Sequence, residues 1–151
     1  HDALPIWEEM QEFILDKLQL LIERKLIKGI GENGTEYTVI AQILDLPKEI
    51  LRLIQKFDFT KKNPKLIYIN TGETMISLQD SILVTFLNLA GFDILFFVPT
   101  GYQSVENYFA EKLMEEHQIG EYKYDMQVPD LNNISTNSTR PSWRRKLFRR
   151  G

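Results

Sequence analysis

The sequence has no cysteine and only two histidines, His1 and His117. Disulfides, thiol nucleophiles and cysteine-ligated metals are therefore excluded, and a three-histidine zinc site cannot be assembled within the chain. No apolar run approaches the roughly twenty residues needed to cross a bilayer. No basic stretch followed by an apolar one marks a secretion signal. Neither G-x-G-x-x-G nor G-x-x-x-x-G-K-[ST] occurs, so the familiar dinucleotide and phosphate fingerprints are missing. An initiator methionine is missing too: the chain opens His1-Asp2-Ala3-Leu4-Pro5 and reads as a piece of a longer protein. Asn-X-Ser/Thr triplets at Asn33, Asn133 and Asn137 carry little weight without a secretion signal.

What is present is the composition of a soluble globular domain, 151 residues with 43% apolar and 26% charged side chains, enough for one real core. The net charge of −3 hides an asymmetry. Arg140, Arg144, Arg145, Lys146, Arg149 and Arg150 fall in the last twelve positions, which contain no acid, leaving 12 basic against 21 acidic residues, a net of −9, in the rest. An acidic body disfavours nucleic acid as a partner. The tail is a separate element. If residues 142–150 are helical, Trp143, Leu147 and Phe148 group together among arginines, a pattern suited to an acidic partner or an anionic membrane surface.

Periodicity divides the chain into three parts. Residues 1–60 read as a helical segment. Ile6, Met10, Phe13, Ile14, Leu18, Leu21 and Ile22 form one stripe of a helix over 4–28 that stops at Gly29. A turn through Asn33-Gly34 leads to two short helices, 37–44 and 47–57, broken at Asp45-Leu46. Residues 61–128 read as an α/β domain. Its first strand is 65–69, with Pro64 excluding helix at Asn63. Ser77-Leu78-Gln79-Asp80 has the form of a capping box opening a helix that ends at Gly91. The second strand, 92–98, is nearly all apolar, as expected of a strand covered on both faces. A helix from Tyr102 or Ser104 to Gly120, with Tyr108, Phe109, Leu113 and Met114 inward, and a third strand over 121–128 complete the domain. Residues 129–151 read as a disordered basic tail. The fold class is α/β: a Rossmann-like three-layer fragment with a short parallel sheet, preceded by the helical segment.

Two phrases stand out, Asn70-Thr71-Gly72-Glu73-Thr74 and Pro99-Thr100-Gly101-Tyr102, each directly after a strand. In a strand-helix-strand unit both emerge at the carboxyl edge of the sheet, where open α/β sheets place their ligands. Gly72 and Gly101 let a ligand approach bare backbone, with positive φ open to both. Asn70, Thr71, Thr74 and Thr100 add hydrogen-bonding groups. Ser77 marks a helix amino end that attracts negative charge. Tyr102 offers a flat face for stacking, with Glu106 just beyond it. Glu73 is the best single candidate for a catalytic carboxylate, but a lone carboxylate does not define a reaction. Asp80 reads as a cap, Asp93 as a strand-end residue and His117 as a surface residue. These loops predict a small polar or anionic ligand, with no metal ligands among them and the cofactor left open. A rival reading fits residues 38–57 to a helix-turn-helix with Lys48, Arg52, Gln55 and Lys56 toward a groove. Asp45 in place of the usual turn glycine and the acidic body weigh against it.

The stretch from Ile69-Asn70-Thr71-Gly72-Glu73-Thr74 to Asp80, with Leu87-Asn88-Leu89-Ala90-Gly91-Phe92-Asp93 and Phe97-Val98-Pro99-Thr100-Gly101-Tyr102, resembles the C-terminal region of the YceG-like family. The resemblance is clearest over residues 65–109. It implies a cytoplasmic bacterial protein of tellurite-resistance and stress gene clusters, working in a biosynthetic module beside other stress-operon proteins. It supplies no catalytic residues. A non-catalytic scaffold in a stress-response complex is the alternative.

Overall fold

The computed structural model describes residues 3–57 and 61–129, in the order α1 (Ala3–Glu23), α2 (Thr35–Leu44), α3 (Lys48–Lys56), β1 (Lys65–Ile69), α4 (Leu78–Leu89) and β2 (Asp93–Phe97). β1 and β2 pair in parallel, from Lys65 opposite Asp93 to Ile69 opposite Phe97. α4 is the crossover between them, so β1-α4-β2 is one strand-helix-strand unit.

α4 is bounded as its sequence requires. The Ser77 hydroxyl accepts the Asp80 N–H at 3.0 Å, closing the amino end. At the other end Gly91 adopts φ +108°, and the N–H groups of Gly91 and Phe92 donate to the carbonyls of Asn88 and Leu87 at 3.0 and 2.9 Å. These two bonds form a complete Schellman cap. Between the caps Ile82, Val84, Phe86 and Leu87 are buried. The buried hydroxyls of Ser81 and Thr85 donate to the carbonyls of Ser77 and Ser81, so neither is left unsatisfied.

α1, α2 and α4 pack on one another, joining Met10, Ile14, Leu18, Leu21, Val39 and Ile43 to the α4 core. α2 breaks at Asp45, and Pro47 stands at the N-cap of α3. Ile54 anchors α3 to the core, while Lys48, Arg52, Gln55 and Lys56 are exposed.

Three sequence expectations need correction. The first helix stops at Glu23, not Gly29, with Lys25 at φ +49°. Leaving the helix frees the next residues for other pairing. Lys28 N–H donates to Tyr108 O at 2.8 Å, Ala110 N–H donates to Leu26 O at 2.9 Å, and Ile27 forms an antiparallel bridge with Phe109. Both side chains are thereby buried, Ile27 to 1% and Phe109 to 4% exposure.

The second strand is not covered on both faces by the described residues. Exposure alternates along β1 and β2: Leu66, Ile94 and Phe96 pack partly buried against the core, Tyr68 is partly buried, and their neighbours are open. α4 supplies one helical layer against the sheet, and a further layer is not among the described residues.

Residues 102–129 form neither the expected helix nor the expected strand. Their first part is held by non-helical bonds to other loops. Beyond residue 110 Leu113 and Ile119 are exposed, so no apolar stripe is buried to support a helix that isolated propensity would leave marginal. The basic tail and its proposed helix over 142–150 lie outside the described residues.

Candidate functional site

Because β1 and β2 are parallel, both strands deliver their following loops to one rim. The ladder runs one residue past the strands, with Asn70 N–H donating to Phe97 O at 3.0 Å. The two loops are then tied directly: the Thr100 hydroxyl donates to Gly72 O at 3.4 Å and accepts the Tyr102 N–H at 3.3 Å.

Asn70 organises the first loop. Its Oδ1 accepts the Gly72 N–H at 3.3 Å, while Nδ2 donates to Thr74 O at 2.8 Å and to Ser104 Oγ at 2.9 Å. Ser104 is fully buried, and its carbonyl accepts the Ile76 N–H at 3.0 Å. Asn70 and Thr100 therefore build the rim rather than face outward from it. Ser77 likewise has its hydroxyl engaged by Asp80 N–H. The Asp80 carboxylate takes the Tyr68 phenol at 3.0 Å, placing negative charge in the first turn of α4. That contact and burial hold the Tyr68 phenol above its ordinary pKa, burial being the larger cause.

Gly72, Glu73, Thr74, Tyr102 and Glu106 are exposed, and Thr71 is half-buried. The two glycines differ. Gly72 does not have the positive φ that its sequence suggests, and a β-carbon there would meet nothing nearer than 3.9 Å. Neither backbone conformation nor packing demands glycine at that position. Gly101 has φ +69°, and its bare Cα lies against the ring of Tyr122, where a β-carbon would collide with Cδ1, Cε1 and Cζ. Lys123 N–H donates to Pro99 O at 2.8 Å and fixes this crossing. The space beside Gly101 is thus filled from within the chain.

Sequence reasoning missed Ser104 and Tyr122 as rim residues. Both are distant in sequence from the first loop, and no local pattern marks them. Asp93 pairs with Lys65 at 2.7 Å at the opposite end of the strands, and that contact holds its carboxyl below the usual value. His117, 73% exposed, stands beside Glu115 away from the rim bonds. An open depression lined by Lys112, Leu113, Met114, Glu115, Glu116 and His117 includes none of the rim residues. Among the described residues no cluster of His, Asp or Glu is placed to hold a metal ion, and no helix is long and apolar enough to cross a membrane.

The YceG domain family matches residues 3–139, nearly the whole chain. The chain belongs to the YceG family. Across 93 residues it is 31% identical to a Bacillus subtilis (strain 168) protein described as "Uncharacterized protein YceG", a match covering 60% of this chain and 17% of that protein. The YceG chain here thus spans about a sixth of the curated relative it matches. No solved structure matches.

Proposed function

We propose that this YceG domain binds a small polar or phosphorylated ligand at the rim formed by residues 70–74 and 99–102. The reading places it within a longer bacterial protein of a stress-associated biosynthetic module, as the C-terminal, Rossmann-like part of a three-layer fold. Tellurite-resistance gene clusters, a cytoplasmic location and neighbouring stress-operon partners belong to the same reading. The basic tail would contact an acidic partner or membrane surface.

The observation that carries the ligand proposal is the Thr100–Gly72 bond, which joins the two loops at the carboxyl edge while leaving Gly72 exposed. The Gly72 N–H and carbonyl are engaged by Asn70 and Thr100, but its bare Cα stands in open space and lets a ligand approach the rim closely. Glu73 and Thr74 flank it, and Tyr102 adds an exposed aromatic face. In this arrangement Glu73 contacts an amine, a hydroxyl or a phosphate-bound cation of the ligand, and it is the proposed catalytic carboxylate if chemistry occurs.

The test is a titration of the ¹⁵N-labelled chain with pyrophosphate and with adenosine triphosphate, followed by amide chemical shifts. Saturable shifts at Gly72, Glu73 and Gly101 support the proposal. Gly72→Ala should abolish them without lowering stability, because the added methyl enters open space. Absence of saturable shifts at these amides with both probes, or an unchanged response in Gly72→Ala, rejects it.

A further inference from the structure

The β1–β2 sheet turns an apolar face away from α4. Ile67 is 59% exposed, Leu95 57%, Phe97 49% and Ile69 42%. The strand register sets Ile67 opposite Leu95 and Ile69 opposite Phe97, so the four side chains form two adjoining cross-strand pairs. The Lys65–Asp93 ion pair closes the amino end of this patch and leaves it no uncompensated charge on the strands. Parallel strands are found almost only where both faces are covered.

The size of the patch selects its occupant. Two strands of five residues present a surface about 10 Å wide and about 17 Å long. That matches one helix, about 10 Å across, rising this distance in about 11 residues. α4, with 12 residues, already serves the opposite face. A second copy of the chain would bury only about 170 Å² per partner by this patch, far below the roughly 800 Å² of a stable interface. With Asp93 already paired to Lys65, the strands offer no free acid to attract a basic segment such as 140–150. A helix within the same polypeptide escapes the area requirement, because covalent connection raises its effective concentration. The curated relative has ample chain for it, since the match occupies only 17% of its length.

We infer that the Ile67–Ile69–Leu95–Phe97 face is an internal interface, covered by one amphipathic helix of about three turns from the same polypeptide outside these 151 residues. That helix carries apolar residues at i, i+3 or i+4, and i+7 toward the sheet. The inference deepens the three-layer reading by naming the open face and what closes it. It is independent of any ligand at the Thr-Gly loops, which amide titration tests separately.

The experiment uses the complete natural gene product carrying this sequence. Leu95→p-benzoylphenylalanine is photo-activated and the cross-linked peptides are identified by mass. The expected product is an intramolecular link to one helical segment outside residues 1–151, unchanged on dilution. Hydroxyl-radical footprinting of the unsubstituted protein provides a second readout that does not depend on the variant folding. Ile67, Leu95 and Phe97, normalised for intrinsic reactivity, should be protected relative to Tyr37, which is 73% exposed. Links to a second copy, links to residues 130–151, or full labelling of the sheet face overturns the inference.

Discussion

The ring of Tyr122 rests on the bare Cα of Gly101, so a side chain far along the chain occupies the space that glycine leaves beside the second loop. Replacing Gly101 by alanine should destabilise the domain by about 1–3 kcal/mol, from the positive φ and the collision together. In Gly101→Ala/Tyr122→Ala the collision is gone, and a coupling of opposite sign should appear in a double-mutant cycle by urea denaturation. Strict additivity would show that the contact does not form in solution.

Asn70 is the centre of the rim's hydrogen bonds, and three of them depend on its amide. Asn70→Ala should cost about 1–3 kcal/mol and leave the buried Ser104 hydroxyl without that partner. Asn70→Asp keeps the acceptor for Gly72 N–H but removes both donated bonds and turns a carboxylate toward Thr74 O. It should be no more stable than the alanine variant when both are compared by chemical denaturation at neutral pH.

The Ser77 hydroxyl satisfies one of the orphan N–H groups at the start of α4. Ser77→Ala should lower stability by about 1 kcal/mol, and Ser77→Asp should retain most of it. Equal losses in the two variants, measured from urea midpoints, would contradict a capping role.

Asp93 has its carboxyl lowered below the ordinary value of 3.8, chiefly by the hydrogen bond from Lys65. A depressed folded-state value makes the charged form the stabilising one. Its contribution is present above the unfolded value and is lost as pH falls through the folded one. Asp93→Asn should therefore lower stability slightly near neutrality and leave it unchanged once pH is below the folded value, which flattens the acid limb. Both groups are exposed, so the difference should be small and should shrink with added salt. Urea midpoints of the two proteins across the acid range, at low and high ionic strength, provide the check.

The parts legible in the sequence are those governed by neighbours. Strand β1 is bracketed by Pro64 and Asn70, and α4 by Ser77 and Gly91, each acting within a few residues. With both elements located, the parallel pairing and shared rim follow from strand-helix-strand geometry. The end of α1 was not legible, because Leu26, Ile27 and Lys28 leave the helix to pair with Tyr108, Phe109 and Ala110. Local periodicity carries no trace of that pairing. Phe109 keeps the inward position that its apolarity suggests, but as one half of a bridge and not as part of a helix. Tyr122 illustrates the same point at the rim: it falls in the expected third strand over 121–128, whereas one contact with Gly101 and a neighbouring backbone bond define its place.

The Ile27–Phe109 bridge also constrains the order of assembly. Its partners are separated by most of the described chain, so a growing polypeptide cannot lock the exit of α1 until residues 108–110 have left the ribosome. The exit of α1 must therefore wait for a segment made much later. Once that clasp closes, a protease cut in the Asn33-Gly34 turn should leave the two fragments held together, in the manner of a split protein that needs no covalent link.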